Sequence, residues 1–194
     1  MPYHHGNLRE ALLEKATEAI EEDGIGALSL RAVARRAGVS HGAPAHHFSD
    51  KTDLLTALAT RAMDRFRAAL ATGVREAGGS EREKLRAMGR AYVRFATEHP
   101  ALFRIITSSE FIRRDDPEFA ASYQSTFDML KQAVSEAQRE GWAQGVDAMA
   151  LVILSWSTAH GLTTLWLDGA LADGVGPFDL EAVAAHVFEV LTAV

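Results

Sequence analysis

Apolar residues recur every three or four positions through nearly the whole chain, and no stretch alternates with period two for long enough to make a strand. That spacing lines one face of a 3.6-residue helix, so the expected fold class is all-α. Glycines and prolines cut the pattern into about nine helices. Asn7 and Glu10 form a capping box ahead of the stripe Leu8, Leu12, Ala16 and Ile20, and Gly24 and Gly26 end that helix. Ser29 caps a short second helix on Leu30, Val33, Ala34 and Ala37, which Gly38 closes. Val39 is placed to plug the core beneath the turn, and Ser40 to cap a third short helix reaching His47. A fourth helix, capped near Asp50, runs to about Gly73 on Leu55, Leu58, Ala62, Phe66 and Ala69.

The later helices follow the same logic. A fifth, after the Gly78–Ser80 loop, carries Leu85, Met88, Tyr92 and Phe95. Pro100 opens a sixth with Leu102, Phe103, Ile105 and Ile106, and Pro117 a seventh with Phe119, Tyr123, Phe127, Leu130, Val134 and Ala137. After a turn at Gly141–Gly145, the eighth runs from Ala148 to about Asp168 and is apolar on nearly every side, so it needs cover all round. One face is expected to meet its own core and the other a second subunit. The ninth, capped by Asp179 after a glycine-rich linker at Gly169–Pro177, carries Leu180, Val183, Val187, Val190 and Leu191 and is also interface material. A homodimer through the eighth and ninth helices follows. Ala148–Leu167 has the length of a membrane span and no charged residue. It holds Ser155, Ser157, Thr158, His160, Thr163 and Thr164, with no basic anchor beside it, so a buried helix is expected and no membrane partner.

Charge is distributed unevenly. The formal net charge is −6, yet Glu140–Val194 holds acidic residues and no Lys or Arg, whereas Arg31, Arg35, Arg36 and Lys51 are opposed only by Asp50. His41, His46 and His47 lie in the same basic stretch. The chain has no cysteine, which excludes disulfides and thiolate zinc sites and suits the cytoplasm, and Met1–Leu12 has no apolar run of a secretory signal. No metal is expected, since the adjacent His46 and His47 cannot share a helix face and no carboxylates group beside them. No nucleophile with a nearby histidine and orienting acid, and no phosphate loop, is found; Glu98-His99 and His160 have no partner at readable spacing. Neither enzyme activity nor a cofactor is expected.

Two short helices meeting at a glycine turn, after a longer helix and before another, make a helix-turn-helix, which places the start of its second short helix at base edges in the major groove. The run Leu30–Leu55, with its Ala37-Gly38-Val39-Ser40 turn, His47-Phe48 pair and Lys51, resembles the signature of the TetR-type regulators. Tyr3-His4-His5-Gly6-Asn7-Leu8-Arg9 and Trp156-Ser157-Thr158-Ala159-His160-Gly161 are similar to a subgroup with a tryptophan-histidine-glycine C-terminal domain.

The resemblance implies a DNA-binding domain at 1–50 and a ligand-sensing and dimerisation domain at 51–194. It implies phosphate contacts from Arg31 and Lys51, the latter joined by free amides at its helix start, and base or backbone contacts from Ser40, His41, Gly42, Ala43, His46 and His47. Phe66, Met88, Tyr92, Phe95, Phe103, Phe127, Trp156 and His160 would line an effector cavity, the same stripes serving as core in any bundle. His160 reads equally as a packed histidine satisfied across a subunit interface, with Gly161 letting helices approach.

The function implied is a repressor that binds double-stranded DNA at an inverted repeat as a homodimer and is released by a small-molecule effector. Where most relatives have an aliphatic residue and then tyrosine, this chain has Pro44 and Ala45; Pro44 lacks an amide, so the reading helix should be short and irregular. That departure motivates the alternative of a helical ligand-binding module with a degenerate reader.

Overall fold

The computed structural model describes residues 8–108 and 110–193; Asn7, expected to cap the first helix, and the Tyr3–Asn7 run lie outside them. The described residues hold nine α-helices and no strand. These are α1 (Leu8–Asp23), α2 (Leu30–Arg36), α3 (Lys51–Ala77), α4 (Glu81–Glu98), α5 (Pro100–Thr107), α6 (Pro117–Arg139), α7 (Ala148–Leu167), α8 (Ala170–Val175) and α9 (Leu180–Leu191), with 3₁₀ turns at Ile25–Ala27 and Ala43–His46. Two compact units result, one from the chain up to Asp64 with His99–Tyr123, the other from Arg65–Glu98 with the chain from Gln124 onward.

Local capping sets most helix starts. The Ser29 hydroxyl accepts from the Ala32 amide at 3.1 Å, and the Asp147 carboxylate from Ala150 at 3.0 Å. Ser80 and Glu83 form a reciprocal box: the Ser80 amide donates to Glu83 Oε2 at 2.8 Å and the Glu83 amide to Ser80 Oγ at 3.3 Å. Each such cap contributes about 1 kcal/mol to its helix.

In the first unit α1 packs against α2 and α5, burying Leu12, Ile20, Val33 and Leu102. In the second, α4 packs against α7 and α9. Gly73 does not end α3, which continues to Ala77; its missing side chain admits α4, since a Cβ there would lie 2.8 Å from Ala91 Cβ. Within the chain a Cβ on Gly161 would meet open space.

Two other expectations are corrected. Val39 is half-buried rather than a core plug; Pro44 and Phe48 fill that place. The Gly169–Pro177 segment is not a linker throughout. Helix α8 forms in it over Ala170–Val175, opened by the good helix-formers Ala170, Leu171 and Ala172, between Gly169 and Gly176, whose φ values of 78° and 80° favour glycine. The turn after α6 hides a core residue: Gly141 (φ 99°) and Trp142 return amides to Gln138 O and Ala137 O at 3.0 Å each, and Trp142 is buried.

Helix α7 buries Leu151, Val152, Ser155, Ala159 and Thr163 and exposes Met149, Ile153, Leu154 and Leu165 on its other sides. By length and composition it could cross a membrane, yet its buried face carries hydroxyls and packs against α4 and α9.

Candidate nucleic-acid interface and effector site

The interface is built on the turn that follows α2. The Gly38 amide (φ 68°) donates to Arg35 O at 3.2 Å and Val39 to Ala34 O at 3.0 Å, which turns the chain sharply out of the helix. The next segment is a 3₁₀ turn over Ala43–His46, with Gly42 at its cap and no side-chain capping bond. Two sequence expectations meet here. The element is short and irregular, as Pro44 requires, but Ser40 does not cap it; Ser40 contributes its carbonyl, which accepts from the Ala43 amide at 3.0 Å. The lost Pro44 amide is the one that would have continued an α-helical ladder. Phe48 then closes the turn, its amide donating to Pro44 O at 2.9 Å while its ring is buried.

Ser40, His41, Gly42 and His46 are exposed, Ala43 and His47 half-buried, and Arg31 is exposed on α2. Arg36 is not available as a phosphate ligand: its guanidinium reaches Glu22 at 2.7 Å and Asp23 at 2.6 Å, and those bonds, Glu22 first, hold its proton more tightly than usual. Arg9 lies over the Phe48 ring, 5.7 Å from its centre. Lys51 donates to Ile25 O at 3.2 Å, which ties the start of α3 to the turn after α1 and leaves further ammonium protons for a phosphate.

The amides at that helix start are partly engaged already. The Asp53 amide donates to Asp50 Oδ1 and the Ser49 amide to Asp53 Oδ2, each at 2.7 Å. The Asp53 amide, and after it the Arg113 guanidinium, keep the Asp50 carboxyl below the usual carboxylate range. A phosphate beside Lys51 would therefore meet two carboxylates where free amides were expected, with the Arg113 guanidinium, 63 residues from Asp50 in sequence, paired to them.

In the second unit the aromatic residues expected around an effector form one connected chain. Phe66 of α3 meets the edge of Tyr92 at 5.0 Å and lies 5.2 Å from Phe95. Tyr92 Oη is 2.8 Å from His160 Nδ1, His160 lies 6.0 Å from Trp156, and Trp156 meets Phe127 at 5.6 Å. Met88 is buried in the same unit, whereas Phe103 is buried in the first unit. His160 finds Tyr92 within its own chain, so no second subunit is needed to satisfy that ring nitrogen. Burial pushes the imidazole below the ordinary histidine range, so it is neutral near pH 7. The buried hydroxyls of Ser155 and Thr163 have no hydrogen-bond partner.

Comparison with known proteins settles the family. Residues 12–58 match the model of bacterial regulatory proteins of the TetR family, and residues 85–191 match a tetracyclin repressor-like C-terminal domain. The chain belongs to the TetR family.

Among TetR-family relatives it is 30% identical over 168 residues to the HTH-type transcriptional activator FasR of Mycolicibacterium smegmatis, covering 82% of this chain and 72% of that one. It is 34% identical over 80 residues to the HTH-type transcriptional regulator BetI of Stenotrophomonas maltophilia; that match spans 41% of the length of each protein. A solved structure of a protein with unknown function from Rhodococcus sp. RHA1 superposes with a TM-score of 0.87 at 34% identity, covering 98% of this chain and 96% of that one. The named relatives are regulators rather than enzymes, which points to a non-enzyme.

Proposed function

We propose that this TetR-family regulator is a cytoplasmic repressor that binds an inverted-repeat operator as a homodimer and leaves it when a small molecule binds the second unit. Residues 1–50 are the DNA-reading domain and 51–194 sense the effector and form the dimer. The observation that carries this reading is the exposed run Ser40–Gly42 with His46, flanked by Arg31 on α2 and Lys51 on α3, inside the segment that matches the TetR model. Arg31 and Lys51 hold phosphates, while Ser40, His41, Gly42, Ala43, His46 and His47 meet bases or the sugar-phosphate backbone.

Dimerisation uses the apolar residues that α7 and α9 leave exposed, Met149, Ile153, Leu154, Leu165 and Val190. Two-fold symmetry then demands an inverted repeat. The effector lies among α4, α6 and α7 against Phe66, Met88, Tyr92, Phe95, Phe127, Trp156 and His160. The Trp156–His160 ring contact, with Gly161 following it in sequence, supports the tryptophan-histidine-glycine subgroup. Because α3 starts at Lys51 and continues into the second unit, an effector that prefers one tilt of α3 changes reader spacing, and it acts only through that preference.

The test is titration of duplex DNA with wild type and Lys51→Ala between about 50 and about 200 mM salt. Binding that weakens steeply with salt, and a variant whose log–log salt slope is shallower by about 1 per protomer, are expected. Absence of any duplex binding would leave the ligand-binding module with a degenerate reader, the alternative that Pro44 and Ala45 favour.

A further inference from the structure

The connector between α5 and α6 grips the start of α3 through Arg113. Its side chain reaches Asp50 Oδ2 at 2.6 Å and lies 3.9 Å from Asp53 Oδ1. Its own amide donates to the Thr56 hydroxyl at 3.0 Å, and Thr56 is buried. The neighbouring Ile112 is buried as well, so the Arg113 backbone is fixed at two points before the side chain forms any pair. A surface ion pair between two freely rotating chains contributes little, chiefly because both must be ordered. Here much of that ordering is already in place, and both acceptors belong to the capping box that begins α3.

The box stands next to the reader. Asp53 holds the Ser49 amide, one residue beyond Phe48, and Asp50 directly precedes Lys51. Two carboxylates at this position oppose a phosphate approaching Lys51, and one guanidinium across both offsets part of that repulsion. Resting on the DNA-binding reading above, we propose that Arg113 is a positioning residue for operator binding: it neutralises and holds the Asp50–Asp53 box, which keeps Lys51 and the Ala43–Phe48 turn in the geometry that fits DNA. Arg113 itself touches no phosphate in this role.

The test compares wild type, Arg113→Gln, Arg113→Lys, Asp50→Asn and the double variant Asp50→Asn/Arg113→Gln. The probes are a duplex selected by the wild type from a random-sequence pool and an unselected duplex of equal length. Asparagine retains a capping oxygen, so Asp50→Asn removes the ion pair without removing the cap. Arg113→Gln is expected to weaken the selected duplex about tenfold, with the wild-type salt slope. The double variant, which lacks one of the two opposing carboxylates, should bind more tightly than Arg113→Gln, and Arg113→Lys should recover part of the loss. Without DNA, the Ser49 and Asp53 amides should exchange hydrogen faster in Arg113→Gln.

A salt slope reduced by about 1 on both duplexes in Arg113→Gln would make Arg113 a direct phosphate contact and overturn the proposal. So would wild-type affinity, or unchanged amide exchange at Ser49 and Asp53. A wild-type protein that binds neither duplex overturns the DNA-binding reading instead, and the positioning of DNA contacts with it.

Discussion

Phe188 of α9 lies directly against the bare Cα of Gly89 on α4: a Cβ at Gly89 would fall 2.5 Å from the ring carbon Cε1. Phe188 is itself buried. Gly89→Ala is therefore expected to destabilise the protein by about 1–3 kcal/mol through overpacking, less the modest gain in helix propensity. Thermal unfolding should show a lower Tm, partly restored by adding Phe188→Leu. An unchanged Tm for Gly89→Ala would mean that α4 and α9 pack less closely than described.

Arg31 and Arg36 sit on the same short helix but should behave differently. Arg36 is held by Glu22 and Asp23, while Arg31 is exposed. Arg31→Ala is expected to lower the log–log salt slope of duplex binding by about 1 per protomer, and Arg36→Ala to leave it at the wild-type value. Fluorescence anisotropy over a salt series distinguishes the two, and equal slopes for both variants would contradict the assignment.

His160 predicts a pH dependence with a definite sign. Burial holds its folded-state pKa below the unfolded value, so as pH falls below about 6.5 the unfolded chain takes up a proton that the folded one does not. Stability is then lost progressively until pH reaches the lowered folded value, and no further loss from this group follows below it. Urea unfolding at about pH 7.5 and about pH 5.5 should show a larger drop for wild type than for His160→Gln. Equal drops would indicate that the imidazole is as solvated as in a peptide.

The outer face of α7 predicts the assembly. Ile153 is 51% exposed within the single chain, so Ile153→Asp should cost the protomer little while placing a charge in an apolar interface. Light scattering coupled to size exclusion is expected to report a dimer for wild type and a monomer for the variant at micromolar concentration. A variant that remains dimeric would move the interface away from α7.

What was legible in the sequence was local. Ser29 and Asp179 cap the helices that their spacing announces, and Gly38 closes α2, because both ends of those interactions lie within a few residues. Pro44 likewise foretold an irregular reader through the single amide it lacks. Interactions that join distant segments left no periodic trace. Tyr92 and His160 are 68 residues apart, and Arg113 and Asp50 are 63 apart. The burial of Trp142 is not legible in the sequence for another reason: the residue sits in a turn, where an apolar side chain breaks no pattern, and its burial depends on how α6 ends.

The most direct test of the central claim is selection of bound sequences by the purified protein from a pool of random duplexes at low ionic strength. An enriched inverted repeat, with half-sites one helical turn or somewhat more apart and lost in Lys51→Ala, is the result expected. A pool that stays random after repeated rounds, or a single asymmetric site bound by a monomer, would contradict it.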